Sequence, residues 1–124
     1  MVNGFPDAEI HEINGIELKN PVIFAGFVGA GLVGTIAVDY IINKLDMKEI
    51  GFLRSKHLPP STVFMQGRLR HPFRLYANKD GSICVIICEI TINREGLYTI
   101  ASAILDWAEK NGSNEIVILD GFAS

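Results

Sequence analysis

Residues 24–37 read FAGFVGAGLVGTIA and place four glycines, Gly26, Gly29, Gly31 and Gly34, between two apolar segments. The segment before them, PVIFA, is a short apolar run typical of a strand that is buried on both faces. The segment after them, LVGTIAVDYIINKL, repeats its apolar residues with helical spacing. A strand, a glycine turn and a helix are therefore expected here, and this unit points to an α/β fold.

The glycine spacing allows more than one interpretation. Gly29-x-Gly31-x-x-Gly34 matches the dinucleotide fingerprint, but three residues separate it from the strand, and Glu49 opens the second strand instead of closing it. A P-loop lysine is also missing from the sequence after the glycines. We interpret the glycines as positions where backbone turns sharply and packs closely. Phosphate binding at the helix N-terminus is the alternative.

Length and composition favour one domain that leaves apolar surface exposed after folding. The chain has 124 residues, enough for a single α/β domain spanning residues 1–124, and 48% of them are hydrophobic against 20% charged. Apolar surface left over after folding usually meets a partner. The formal net charge is -3 and no block of like charges occurs, so neither a nucleic acid nor an anionic membrane surface is expected as a partner.

Two observations bear on the cellular compartment. Residues 21–38 carry no charge and are long enough to span a bilayer, but Pro21, the glycines and the following Asp39 argue against a membrane helix. Cys84 and Cys88 share a face of one predicted strand and lie roughly 13 Å apart, which is too far for a disulfide. We expect buried thiols in a reducing cytoplasm.

The remaining sequence alternates between strand and helix patterns. Asn14-Gly15 predicts an opening hairpin that ends near Pro21, and PVIFA is expected to pair in parallel. Further strands are predicted at EIGFLRS, VFMQ, FRLYA, SICVIICEI and EIVILD, with two prolines after the first and an NKDG turn before SICVIICEI. The helix after the glycines has two apolar stripes, one of which is available for a subunit contact. These stripes are Leu32, Ile36 and Tyr40, and Val38, Ile42 and Leu45.

The clearest helix pattern is EGLYTIASAILDWAEKNG, with Gly112 as its cap. Its expected buried residues are Leu97, Ile100, Ala101, Ile104, Leu105 and Ala108, and its wetter side carries Tyr98, Ser102, Asp106 and Glu109. The strand EIVILD and a glycine turn follow, and a further helix is usual after such a turn in α/β domains. The domain is therefore expected to be truncated.

Candidate catalytic and metal-binding groups do not form a recognisable pattern. His11, His57 and His71 lack metal-ligand spacing, so we expect single histidines that are solvated or hydrogen-bonded, and we expect no metal and no cofactor. Glu89, Glu95 and Asp120 stand near the carboxyl ends of predicted strands, where α/β proteins place their sites. Glu95 is equally suited to a helix N-terminus. No catalytic residue is assigned.

Four blocks of the sequence together resemble the proteasome assembly chaperone family, of the assembly chaperone 2 type found in archaea and some bacteria. They are the strand and glycine turn from Gly26 to Gly34 with its apolar helix, the HLPP loop with His57, Pro59 and Pro60, the helix start EGLY with Glu95 and Tyr98, and the final IVILDGFA. Their order and spacing fit the family from about Lys19 onwards.

The resemblance implies a three-layer α/β sandwich with a mixed, largely parallel sheet, similar to phosphorylase and hydrolase-like folds. It also implies a non-enzymatic protein that self-associates as a homo-oligomer and binds protein partners, with proteasome α-subunits as the first candidates. Family proteins are about twice as long, so the resemblance covers their N-terminal half. The candidate binding residues are Gly26, Gly29, Gly31, Gly34, His57, Pro59, Pro60, Glu95 and Tyr98. The alternative function is a nucleotide- or nucleoside-handling enzyme with a phosphate site at the turn from Gly29 to Gly34.

Overall fold

The computed structural model describes residues 7–13, 16–28, 33–58, 63–65, 68–92 and 94–119. Within these ranges the chain forms eight strands and two helices, in an order close to the one that the sequence patterns predict. The elements are β1 Glu9–Glu12, β2 Val22–Phe27, α1 Val33–Lys44, β3 Lys48–Arg54, β4 Val63–Met65, β5 Arg68–Arg70, β6 Phe73–Ala77, β7 Ile83–Cys88, α2 Arg94–Lys110 and β8 Glu115–Leu119.

A mixed sheet in the order β1-β3-β6-β7-β2-β8 forms the middle layer, and β4 and β5 form a separate antiparallel pair. Strand β2 pairs in parallel with β7 and with β8, whereas β1–β3, β3–β6 and β6–β7 are antiparallel. The predicted α/β class and mixed sheet are confirmed, but the sheet is mostly antiparallel and not largely parallel. The reason is connectivity: no described helix separates β3 from β6, and a tight turn joins β6 to β7.

The predicted hairpin at Asn14-Gly15 is wrong. These two residues lie outside the described ranges, but β1 pairs with β3, from Glu9 opposite Arg54 to Glu12 opposite Gly51, and residues 16–20 form no strand. Lys19 instead donates a backbone hydrogen bond to the Gly81 carbonyl in the β6–β7 turn, at 2.9 Å. The turn signal is local, and pairing with a strand whose partner residues lie 39 to 45 positions away, from Glu12 with Gly51 to Glu9 with Arg54, outweighs it.

The core has one layer on each face of the sheet. Alternate residues of β7 point to opposite faces: Cys84, Ile86 and Cys88 pack toward α2, and Val85 and Ile87 pack toward α1. All five side chains are buried, which explains why this strand reads as a continuous apolar run. Helix α2 contributes Ile100, Ile104, Trp107 and Ala108 to the first layer, and α1 contributes Val38 and Ile42 to the second.

Helix α1 buries one of its two predicted stripes and exposes the other. Val38 and Ile42 are buried, while the side chains of Ile36 and Tyr40 are each 64% exposed. Leu45, which was grouped with the buried stripe, follows the end of the helix and is 41% exposed. The helix therefore carries an outer apolar face that no described residue covers.

The buried face of α2 is rotated from the predicted one. Ile100, Ile104 and Ala108 are buried as expected, but Leu97, Ala101 and Leu105 are exposed, and Trp107, which the pattern left out, is buried. The indole Nε1 of Trp107 donates to the Glu12 carboxylate of β1 at 3.1 Å. This bond turns the helix toward β1. The apolar residues of α2 cover a wider arc than its buried face, so their spacing alone could not show which of them face the sheet.

Both predicted backbone turns are confirmed. Gly112 has a φ of 77° and ends α2 in a Schellman motif, with Gly112 N–H bonded to the Glu109 carbonyl at 3.0 Å and Ser113 N–H to the Ala108 carbonyl at 2.9 Å. In the β6–β7 turn, Gly81 has a φ of 76°. Both glycines occupy the left-handed region that other residues rarely adopt.

The rotation of α2 can be tested with two neighbouring side chains. Ile104 is 7% exposed and Leu105 is 59% exposed, although both belong to the predicted buried set. We expect Ile104→Ala to lower the free energy of unfolding by about 2–5 kcal/mol, because it leaves a cavity in the core. Leu105→Ala should change it by about 0.5 kcal/mol or less. Urea denaturation at low protein concentration measures both, and equal losses would contradict the observed helix orientation.

Candidate functional site

The carboxyl ends of β2, β3, β7 and β8 and the N-termini of both helices meet at one end of the sheet, called here the carboxyl edge. The structure brings five of the predicted site residues to this edge. Gly26 and Gly34 join β2 to α1, His57 follows β3, and Glu95 and Tyr98 lie in the first turns of α2. The other four predicted residues, Gly29, Gly31, Pro59 and Pro60, lie outside the described ranges. A binding role for the nine residues stays a prediction.

Gly26 and Gly34 form a close contact between α1 and the sheet. A Cβ atom at Gly26 would collide with the backbone carbonyl of Gly34 and lie 2.7 Å from Val38 Cγ2. A Cβ atom at Gly34 would collide with the carbonyl of Leu119 at the end of β8. Neither glycine has a positive φ, so close approach, and not backbone conformation, requires them. This geometry agrees with the packing interpretation of the motif at its two described ends.

The loop that carries His57 is fixed by Ser55, which is 5% exposed. The Ser55 hydroxyl accepts a hydrogen bond from the His57 backbone N–H at 3.1 Å and donates to the Asp7 carbonyl. The Asp7 carboxylate forms an ion pair with Lys56 at 2.8 Å, and the hydrogen bond and charge of Lys56 lower the pKa of this carboxyl. The N-terminal segment therefore holds the loop that follows β3, while the His57 side chain remains half-buried.

A buried arginine near the carboxyl edge was missed by the sequence reasoning. Arg74 on β6 is 1% exposed. Its Nε donates a hydrogen bond to the Tyr76 hydroxyl at 2.9 Å, and its Nη1 donates one to the His71 carbonyl at 2.7 Å. The same Nη1 lies 2.6 Å from the Glu89 carboxylate and forms an ion pair with it. Burial works to lower the pKa of Arg74, but Tyr76 and Glu89 outweigh it and raise that pKa. The sequence signal for a buried ion pair was a charged residue within the apolar strand FRLYA, with Glu89 directly after the next strand. The arrangement fixes β6 against the end of β7.

Two of the three histidines stack on the same phenylalanine. Phe52 on β3 lies between His11, at 5.2 Å between ring centroids, and His71, at 3.8 Å. Beside this stack, Arg70 forms an ion pair with Glu49 at 2.9 Å, and both side chains are about four-fifths buried. The sequence did not predict this stacking, which arises because β1 and the segment before β6 both pass over Phe52.

Cys84 and Cys88 are free and buried, as predicted. Burial, with a smaller contribution from the Glu12 charge, raises the pKa of the Cys84 thiol from 9.0 to about 12. Burial also raises the pKa of Cys88 to about 11, and the Cys88 thiol donates a hydrogen bond to the Ile90 carbonyl. Such thiols stay protonated and are poor nucleophiles at neutral pH. Within the described ranges, no group of three or more His, Cys, Asp or Glu side chains is placed to hold a metal ion.

Among the described residues, neither helix is long and apolar enough to cross a membrane.

The fold and this edge define the chain as an α/β domain in which Gly26 and Gly34 let a helix pack closely onto the sheet, with the histidine loop and the start of α2 beside them. The chain belongs to the PAC2 family, whose model matches residues 23–124. An uncharacterised protein of Methanocaldococcus jannaschii is 40% identical over 106 residues, which are 86% of this chain and 44% of that protein.

Solved structures give the same result. A protein of unknown function from Thermoplasma acidophilum is 38% identical, with a TM-score of 0.79 over 86% of this chain and 46% of the other. Pyrococcus furiosus PbaA, an archaeal homolog of proteasome-assembly chaperone, is 27% identical, with a TM-score of 0.85 over 96% of this chain and 48% of its own. The resemblance seen in the sequence is thus confirmed. The chain spans about half the length of these relatives.

The glycine contact predicts the effect of one added methyl group. Gly26→Ala should lower the free energy of unfolding by about 1–3 kcal/mol, because the new Cβ meets a backbone carbonyl that cannot rotate away. Chemical denaturation without added ligand measures this loss, so ligand binding at the turn does not contribute. An unchanged denaturation midpoint would show that α1 does not approach β2 this closely.

The buried thiols predict a stability loss at alkaline pH. Their folded-state pKa values lie above 9.0, so the unfolded chain loses these protons first as the pH rises. Their contribution to stability is complete below about pH 9 and is lost as the pH approaches 11 to 12. We expect the double variant Cys84→Ala/Cys88→Ala to lose less unfolding free energy than the parent chain between pH 8 and pH 11. Parallel curves for the two proteins would contradict this.

Proposed function

We propose that this chain acts through protein–protein contacts, as part of a proteasome-assembly-chaperone-like protein of the cytoplasm that self-associates. The observation that carries the proposal is the likeness to PbaA, which spans 96% of this chain. That protein is described as a homolog of proteasome-assembly chaperone, and the family resemblance implies proteasome α-subunits as the partners. The net charge of -3 makes nucleic acid and anionic membrane surfaces poor alternatives.

Exposed apolar side chains support a role in protein binding. Ile36 and Tyr40 on the outer face of α1 are each 64% exposed, and Tyr98 at the start of α2 is 80% exposed. Aromatic residues are enriched at interfaces, where they bury large area with few rotatable bonds. We assign the α1 pair to contact with a second copy of the chain. We assign the carboxyl edge, with Tyr98 and His57, to the proteasome subunit.

Tyr98 provides the test of the partner surface. With the chain immobilised, we expect it to retain proteasome α-subunits of its own organism, and we expect Tyr98→Ala to weaken retention at least tenfold, since a central interface aromatic contributes about 2 kcal/mol. Asp106→Ala, at an exposed position two turns further along α2, is the matched control and should bind like the parent chain. Equal binding by both variants would remove Tyr98 from the interface, and no retention by the parent chain would remove the proteasome from the proposal.

Titration with nucleotides separates this proposal from the enzyme alternative. Binding at the glycine turn would raise the melting temperature of the chain by several degrees at saturating ligand. The protein-binding proposal expects no such shift with a panel of nucleotides and nucleosides.

A further inference from the structure

We propose that a cavity at the amino end of the sheet, opposite the carboxyl edge, binds a small aliphatic amino acid in its free, zwitterionic form. The cavity has a volume of about 190 Å³ and opens to solvent. Its lining residues are Ile16, Asp46, Lys48, Ala77 and Lys79. None of them belongs to the carboxyl edge or to the outer face of α1, so this site goes beyond the proposed function and does not depend on it.

The cavity lies where the antiparallel pair of β3 and β6 ends. Lys48 at the start of β3 lies opposite Ala77 at the end of β6. Asp46 stands in the turn between α1 and β3, and Lys79 stands in the turn between β6 and β7. Ile16 precedes β2 and packs against the same core layer as Ala77, on the α2 face. The two apolar residues are buried or half-buried and the three charged ones are exposed, so the cavity has apolar inner walls and a charged rim.

Hydrogen bonds fix the walls of the cavity. In the turn that carries Lys79, Gly81 N–H bonds to the Asn78 carbonyl at 3.1 Å, and Ile83 N–H bonds to Asn78 Oδ1 at 3.0 Å. The segment that carries Ile16 is joined to the same turn, because Lys19 N–H bonds to the Gly81 carbonyl at 2.9 Å. Small-molecule sites are usually formed in advance by such rigid walls.

The charged rim has no internal partners. Among the described residues, none forms an ion pair or a hydrogen bond with the side chain of Asp46, Lys48 or Lys79. The two lysines are therefore available to donate to a carboxylate, in charge-assisted hydrogen bonds. Asp46 directly follows the C-terminus of α1, where the helix carbonyls add partial negative charge. This side of the rim favours an ammonium group.

The arrangement of charges selects a ligand that carries both signs. A plain carboxylate would be repelled by Asp46, and a plain amine would be repelled by both lysines. An amino acid presents a carboxylate and an ammonium group at one end and a side chain at the other, which suits the apolar walls. A cavity of about 150 Å³ is enough for benzene, so the volume here is sufficient for an aliphatic amino acid such as valine.

Three probes of one shape test this assignment. L-Valine carries both charged groups, isovalerate lacks the ammonium group, and isobutylamine lacks the carboxylate. We expect titration of the complete 124-residue chain, followed by amide NMR, to give valine a dissociation constant of about 1 mM or lower. Either analogue should bind about tenfold more weakly. The amide signals of Ile16, Lys48 and Lys79 should shift, and those of Gly26 and His57 at the carboxyl edge should not.

Variants at the rim identify the groups that bind. Lys48→Met and Lys79→Met remove a positive charge and keep an apolar stem, and each should weaken valine binding about tenfold. Asp46→Asn should remove the preference for valine over isovalerate. These side chains are exposed, so circular dichroism should show a folded chain for each variant. Lys110→Met, at an exposed lysine that does not line the cavity, is the matched control and should bind like the parent chain.

Four results would overturn the proposal. The first is the absence of any shift with valine at about 10 mM, ten times the expected dissociation constant. The second is equal binding of the three probes, and the third is a set of shifted signals that lies away from the cavity. The fourth is a loss of affinity in Lys110→Met as large as that in Lys48→Met, since this would indicate a general effect of net charge.

Discussion

The contact between Gly26 and Gly34 determines where α1 lies, and most of the fold depends on it. Helix α1 meets β2 through one glycine backbone and the end of β8 through another, with no side chain between them. This close approach fixes the rotation of the helix, so Val38 and Ile42 enter the core above Val85 and Ile87. Ile36 then has to point outward. The packing role of the glycines and the exposed face of α1 thus have the same cause.

The two faces of the sheet are closed by different means. On the α2 face, packed apolar side chains run from β1 to β2 without interruption. On the other face, α1 covers one part, and ion pairs and stacked rings occupy the region of β3 and β6, with Arg74, Glu89 and Phe52 at its centre. A buried ion pair contributes little net stability because desolvation offsets the attraction, but breaking it by removing one partner is costly. We infer that Arg74 and Glu89 define the position of β6 more than they stabilise the fold.

The sequence predicted the features that depend on local patterns. Strands β2, β3, β6, β7 and β8, both helices and the cap at Gly112 follow from periodicity, composition and turn residues. The pairing of β1 with β3 could not be read from the sequence, because the Asn-Gly signal describes only its own neighbourhood and a distant strand can displace it. The rotation of α2 failed for a related reason: Trp107 meets Glu12, which is 95 residues away in the chain.

The same distinction applies to the candidate site. The residues predicted for the carboxyl edge lie at strand and helix ends, and their positions followed from topology once the elements were known. The Arg74–Glu89 pair and the stack on Phe52 were missed because each joins residues from different parts of the chain. The arginine within FRLYA was a signal for the first, but no spacing in the sequence identifies the partner. Sequence reasoning therefore selected candidate residues that lie at one edge of the sheet, but it did not find the interactions around them.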